Sequence, residues 1–295
     1  MWGSIVANRT TLICDIDNTL FDWNAYYASA FRALVHVASR ELGVVEDQLY
    51  AELKSIHQHF RSIEYTFSVQ LLPSAAHLSE PEMKQLLDKC IGAFNSVKLR
   101  RLKAHDGVRS TLDWGNQQGI SIIAVSNAPM HQAYRRIQRM GLRPFFTGLV
   151  AWEGWESKDR DDPLVGRRMP TSFDIDLPWS LRLRYEELKP NTVPYEKVLG
   201  RYSAEPDNVW VVGDSLFNDI FPATQLGLRT VWARYGSAIT EKNLTTLLRV
   251  TDWTDAQVRA IKSAPTVVPQ YAIDAFSELL DILPIAQPTL FEVGR

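Results

Sequence analysis

Cysteine is scarce in this chain and long apolar runs are missing. The 295 residues include two cysteines, Cys14 and Cys90, too few for a disulfide framework. Cys14 falls inside a short apolar run and reads as a small buried side chain. Nowhere does an apolar stretch reach the roughly 18 residues that a membrane-spanning helix needs, so no membrane is expected as a partner. The first nine residues, from Met1 to Arg9, lack a basic lead and a sustained apolar segment, which argues against an export signal. A cytoplasmic location is the expectation. Excess charge of one sign is absent too. The formal net charge of −2 gives no electrostatic reason to expect nucleic acid or an anionic surface as partner. Internal repeats and low-complexity tracts are not found.

What remains is an ordinary globular composition, 45% hydrophobic and 22% charged, with enough chain for one large domain or two modest ones. Nine tryptophans are more than usual, and Trp152 and Trp155 fall near the expected active face. Tryptophan more often fills a core than holds a ligand.

The most informative stretch is Asp15-Ile16-Asp17-Asn18-Thr19, directly after the apolar run Thr11–Cys14. Such a run ending in two carboxylates reads as a buried strand delivering acids to its C-terminal tip. In extended chain, residues i and i+2 share a face, so Asp15 and Asp17 are expected to leave the strand on one side. Two acids that close repel, and burying both is costly without a cation or a split of protonation states. By itself the pattern also fits an Asp-rich turn. Three later segments change its weight. A second apolar run, residues 120–125, ends in Ser126-Asn127. Lys189 stands before Pro190-Asn191 and a helix-like segment. A third run, residues 209–212, ends in Gly213-Asp214-Ser215-Leu216-Phe217-Asn218-Asp219.

At these residues the chain resembles the haloacid dehalogenase-like (HAD) hydrolase superfamily. Its four ordered motifs each find a match: the Asp-x-Asp pair, a Ser or Thr after the second strand, a Lys, and a Gly-Asp-x-x-x-x-Asp segment. Periodicity supports the same organisation. Apolar runs alternate with helix-like segments from residue 104 to 235, the pattern of an α/β doubly wound parallel sheet, with active groups expected beyond the strands' carboxyl ends. Residues 22–103 lack strand-like alternation, and Phe31, Leu34, Val35, Ala38 and Leu42 keep the spacing of an amphipathic helix. The expected layout is a Rossmann-like core over 10–21 and 104–235, with an inserted α-helical cap over 22–103. Residues 152–187 form a long excursion, read either as an ordered surface loop or as a lid. Residues 236–295 read as a mostly helical extension that packs on the core or on a partner subunit; a homo-oligomer is allowed without being specified.

The resemblance implies a phosphatase that hydrolyses a small phosphorylated metabolite through an aspartyl-phosphate. Asp15 is then the nucleophile and Asp17 the general acid and base. Mg²⁺ is the implied cofactor, since it takes oxygen ligands and retains waters. Asp15 and Asp214 are its expected carboxylate ligands, Asp17 contributes its backbone carbonyl, and Asp219 orients the site or binds through water. Ser126 and Asn127 are expected to grip phosphate oxygens ahead of a helix. Lys189 is expected to supply a cation and keep Asp15 ionised. Asn218 reads equally as a helix N-cap, and Thr19 is expected to fix the turn. The second acid, Asp17, argues against a 2-haloacid dehalogenase, because halide leaves without a proton. A nucleoside 5'-monophosphate phosphatase, a phosphosugar mutase and a non-catalytic binding protein stand as alternatives. His57 and His59, at i and i+2 on a helix, point apart and are expected to be solvated rather than metal-bound. Arg100, Arg101 and Lys103 read as an exposed helix end.

Overall fold

The structure, a computed structural model, describes residues 10–154, 180–253 and 267–284. Every residue of the strand Thr11–Cys14 (β1) is buried. It pairs in parallel with Ser121–Pro129 (β2) on one side and Val209–Gly213 (β5) on the other. Gly148–Trp152 (β3), Ser180–Leu183 (β4), Arg229–Ala233 (β6) and Tyr271–Ile273 (β7) complete a seven-stranded sheet in the order β4-β3-β2-β1-β5-β6-β7, parallel throughout. Leu12 and Cys14 face the larger core cluster, while Ile13 faces a second one with Ile123, Val125 and Val211. Burial on both faces is why these strands read as unbroken apolar runs.

From β1 the chain builds outward through β2, β3 and β4, then returns to the other flank of β1 for β5, β6 and β7. The strand order therefore reverses at β1, and the crevice beyond the carboxyl ends of β1, β2 and β5 is where open α/β sheets bind ligands. All three strand-borne motifs open into it.

Three long helices follow β1: Trp23–Leu42 (α1), Glu46–Phe60 (α2) and Glu80–Arg101 (α3). Asp22 caps α1, its side chain accepting from Ala25 N at 2.7 Å, and the stripe Phe31, Leu34, Val35 and Ala38 is buried as its spacing requires. A reciprocal capping box between Ser79 and Glu82 starts α3. Phe21 bridges both Asp17 and Ala104, so the two connections between this helical block and the sheet pass side by side. Val108–Gln117 (α4), Met130–Arg139 (α5), Val193–Tyr202 (α6) and Phe221–Gln225 (α7) alternate with the strands. Glu241–Val250 (α8) lies against the helical block: Arg32 donates to Thr246 at 2.9 Å and Asn243 at 3.1 Å, and Lys54 to the Leu248 carbonyl at 2.8 Å.

Several local expectations need correcting. The extension over 236–295 is not helical throughout: Tyr271–Ile273 is the edge strand β7, ahead of the α-helical turn Leu279–Ile282. The sheet thus extends past residue 235. The excursion after β3 returns to it through β4, while residues 155–179, including Trp155 and most of the proposed lid, lie outside the described residues. Arg143–Phe145 is a 3-10 turn, and β3 starts at Gly148. His57 is wholly buried, its ring Nδ1 bonded to the Val250 carbonyl, so it ties α2 to α8 instead of meeting solvent. His59, Arg100, Arg101 and Lys103 are exposed. Among the described residues no helix is long and apolar enough to cross a membrane.

Candidate active site

Lys189 organises the crevice. Its side chain is 4% exposed, and its ammonium donates to Asp15 Oδ1 and to Asp219 Oδ1, each at 2.6 Å, with the Val125 carbonyl at 3.3 Å. Burial works against that ammonium, yet Asp15 and Asp219 outweigh it and hold its pKa well above the usual lysine range. The lysine is itself aimed from behind. The Asn127 side chain accepts from Lys189 N at 2.9 Å and donates to the Lys189 carbonyl at 2.8 Å. Asn127 thus engages the lysine's own backbone through its side chain.

Asp15 continues the ladder of β1, its N–H donating to the Val212 carbonyl at 3.0 Å. Its second oxygen, Oδ2, is buried with no partner among the described residues. Burial raises the Asp15 pKa to about 7, against the pull of Lys189. Asp214 follows β5; its backbone carbonyl accepts from Trp232 Nε1 at 2.8 Å and Ser237 Oγ at 2.9 Å. Burial, with Asp15 and Asp219 nearby, keeps the Asp214 pKa well above the carboxylate range. Asp219 is 1% exposed and also accepts from Ser215 N at 3.1 Å.

Two glycines make this closeness feasible. A Cβ at Gly213 would collide with the Asp219 carboxyl, and one at Gly236 would strike the Asn18 carbonyl and Asp214 Cβ. The Asp219 turn is a π-helical one, Leu216–Ile220, capped by Ser215, whose hydroxyl accepts from Asn218 N at 3.0 Å; Asn218 is therefore not the cap. Thr19 holds its turn through its carbonyl, which accepts from Tyr235 at 2.7 Å, while its buried hydroxyl has no partner among the described residues.

Asp17 does not follow Asp15 into the cluster. After Asp17 the chain turns, with Asn18 left-handed at φ 63°. The Asp17 carboxylate instead accepts from Arg136 at 2.7 Å and from Ser126 at 3.2 Å. Burial raises its pKa and Arg136 counteracts it. Ser126 is buried and its hydroxyl also accepts from Ala128 N at 3.0 Å. Arg136 and its second anion, Glu64, are absent from the sequence reading. The signal for Arg136 was a charge on the apolar stripe of α5, where Met130, Ala133 and Ile137 are buried.

The residues fit a divalent cation. Ligand atoms of Asp15, Asp214 and Asp219 lie within 4.8 Å of one another. Three carboxylates against the one ammonium leave a formal charge of −2 when all are ionised. The unpartnered Asp15 Oδ2 supplies an oxygen ligand of the kind Mg²⁺ prefers.

Comparison with known proteins agrees with this geometry. A family model described as HAD-hydrolase-like matches residues 188–264. The glyceraldehyde 3-phosphate phosphatase of Pyrococcus furiosus is 38% identical over 226 residues, 75% of this chain and 79% of that protein. The HAD phosphatase from Thermococcus onnurineus superposes with a TM-score of 0.55 at 19% identity, over 94% of this chain and 98% of that one. The magnesium-bound YfnB of Bacillus subtilis gives 0.50 at 21%, over 93% and 99%. The structural likenesses establish the fold. With the sequence relative, they place this chain in the HAD-like hydrolase family. Within that family it is a phosphatase, a hydrolase of phosphate monoesters.

Proposed function

We propose that the protein is a Mg²⁺-dependent phosphatase acting on a small phosphorylated metabolite through a phosphoryl-Asp15 intermediate. The observation that carries this reading is the Lys189 ammonium bridging Asp15 and Asp219 while Asp15 Oδ2 stays unpartnered. In the first step a carboxylate oxygen of Asp15 attacks phosphorus and the phosphorus–ester oxygen bond breaks. The proton on Asp17 passes to the departing oxygen. In the second step water attacks the phosphorus of the acyl phosphate, Asp17 takes its proton, and inorganic phosphate leaves with Asp15 restored.

Asp15 and Asp214 would hold Mg²⁺ by carboxylate oxygens and Asp17 by its backbone carbonyl, with Asp219 orienting the site. When bound, the ion neutralises charge as two anions meet. Lys189 steadies the transferring phosphoryl group, and Ser126 with the backbone after β2 receives its oxygens. The helical block over 22–103 serves as a cap that excludes water and selects the leaving group. The name of the Pyrococcus relative makes glyceraldehyde 3-phosphate the first substrate to try. Tyr26, Tyr27 and Phe31 on α1 are buried, Tyr27 packing against both of the others, so these rings offer a nucleobase no free face.

The test is phosphate release from a panel led by glyceraldehyde 3-phosphate, with Mg²⁺ and with chelator. Turnover that needs Mg²⁺ and vanishes in Asp15→Asn is expected. No turnover across the panel, or full activity in Asp15→Asn, overturns the reading.

A further inference from the structure

Arg136 lies outside all four motifs, yet its side chain is among the most deeply buried large ones, at 1% exposure. One guanidinium reaches three acceptors: Asp17 Oδ1 at 2.7 Å, Tyr27 Oη at 2.8 Å and Glu64 Oε1 at 2.6 Å. Their origins matter. Asp17 follows β1, whereas Tyr27 lies on α1 and Glu64 in the connection after α2, both in the helical block. Arg136 itself stands on core helix α5. The other Asp17 oxygen accepts from Ser126 at 3.2 Å, so both oxygens of the carboxylate are held.

Fixing Asp17 alone does not require so elaborate an arrangement. A buried guanidinium is costly unless its charge is matched, and two carboxylates converge on this one. Glu64 is 8% exposed, and its ion pair among the described residues is with Arg136. It keeps Arg136 paired at the moments when Asp17 has given up its charge to a proton or turned toward substrate. The planar fork of the guanidinium then fixes where the Asp17 carboxylate returns.

We propose that Arg136 is a positioning residue for Asp17, anchored by Glu64 and Tyr27, so that the helical block as well as the core sets the placement of the proton-transfer group. This rests on the reading of Asp17 as general acid. It extends that reading to residues with no motif of their own.

The experiment compares two esters that differ in their need for a proton. An alkyl phosphate must leave as a protonated alcohol, whereas 4-nitrophenyl phosphate releases a stable phenolate without help. Wild type, Arg136→Met, Arg136→Lys, Tyr27→Phe and Asp17→Asn are assayed on both with Mg²⁺. Because a well-placed general acid contributes about 10²–10⁴-fold, Arg136→Met is expected to lose about tenfold or more in the single-turnover rate of Asp15 phosphorylation, the step in which the ester's leaving group departs, on the alkyl ester beyond its loss on the nitrophenyl ester. KM should stay close to wild type, and Arg136→Lys should recover part of the difference. Tyr27→Phe removes one oxygen only and should show the same bias in smaller measure, which keeps the idea testable if Arg136→Met does not fold. Equal losses on both esters in Arg136→Met and Tyr27→Phe, or a change confined to KM, overturn it. Asp17→Asn separates the two levels. If it discriminates between the esters while the Arg136 and Tyr27 variants do not, the positioning role alone is wrong. If it does not discriminate, the general-acid reading has failed and the positioning role falls with it.

Discussion

Asn127 and Lys189 clasp each other by two hydrogen bonds across 62 residues of sequence, side-chain amide to backbone amide in both directions. The clasp joins the end of β2 to the loop before α6. It holds the backbone of a lysine on an irregular segment whose ammonium reaches Asp15.

Asn127→Ala removes both bonds and strands a partly buried N–H and carbonyl. Stability should fall by about 1–3 kcal/mol, the cost of unsatisfied buried groups. The rate should fall by about tenfold or more as Lys189 loses its aim. Denaturant titration and steady-state kinetics on one preparation check both. Asn127→Asp keeps the acceptor but loses the donor, and should fall between Asn127→Ala and wild type.

Mg²⁺ should raise the melting temperature, because the cluster holds three carboxylates against one ammonium. At roughly 100 times its Kd, an ion that binds only the folded state adds about 2.7 kcal/mol. Asp214→Asn should melt higher than wild type without metal, since burial and its acidic neighbours already disfavour the Asp214 anion. The same substitution should abolish most of the gain from Mg²⁺. Differential scanning calorimetry with chelator and with Mg²⁺ reads both effects.

How much of this was legible follows from burial. β1, β2 and β5 are packed on both faces, so each appears as an apolar run, and each ends in polar residues that turned out to face the crevice. The edge strands β4 and β7 were missed. They are short and partly exposed, with patterns too brief to set a period of two against a helix. Placing Lys189 relied on motif order, because nothing local distinguishes a buried lysine from a solvated one. Arg136 and Glu64 carry no motif, and His57 reads as solvated, for one reason: each is a polar side chain whose partner lies far along the chain.

His57 supplies a stability prediction away from the active site. Burial lowers its pKa from the usual 6.5 to about 4, and its ring is bonded to the Val250 carbonyl. The folded state therefore binds the proton less readily than the unfolded chain. The sign is fixed: this contribution is fully present above pH 6.5 and is lost as the pH falls toward 4. Urea titrations across that window should show the acid-side loss in wild type and a flatter profile in His57→Phe. That variant should also be less stable at pH 8, since the Val250 carbonyl loses its donor.

The most direct test of Asp15 as nucleophile is chemical. Enzyme turning over substrate with Mg²⁺ is quenched in acid, treated with hydroxylamine, digested and mapped by mass spectrometry. An acyl phosphate on Asp15 would convert that carboxyl to a hydroxamate in wild type and leave Asp15→Asn unmodified and inactive. Sustained phosphate release with no adduct at Asp15, and undiminished turnover in Asp15→Asn, would contradict it.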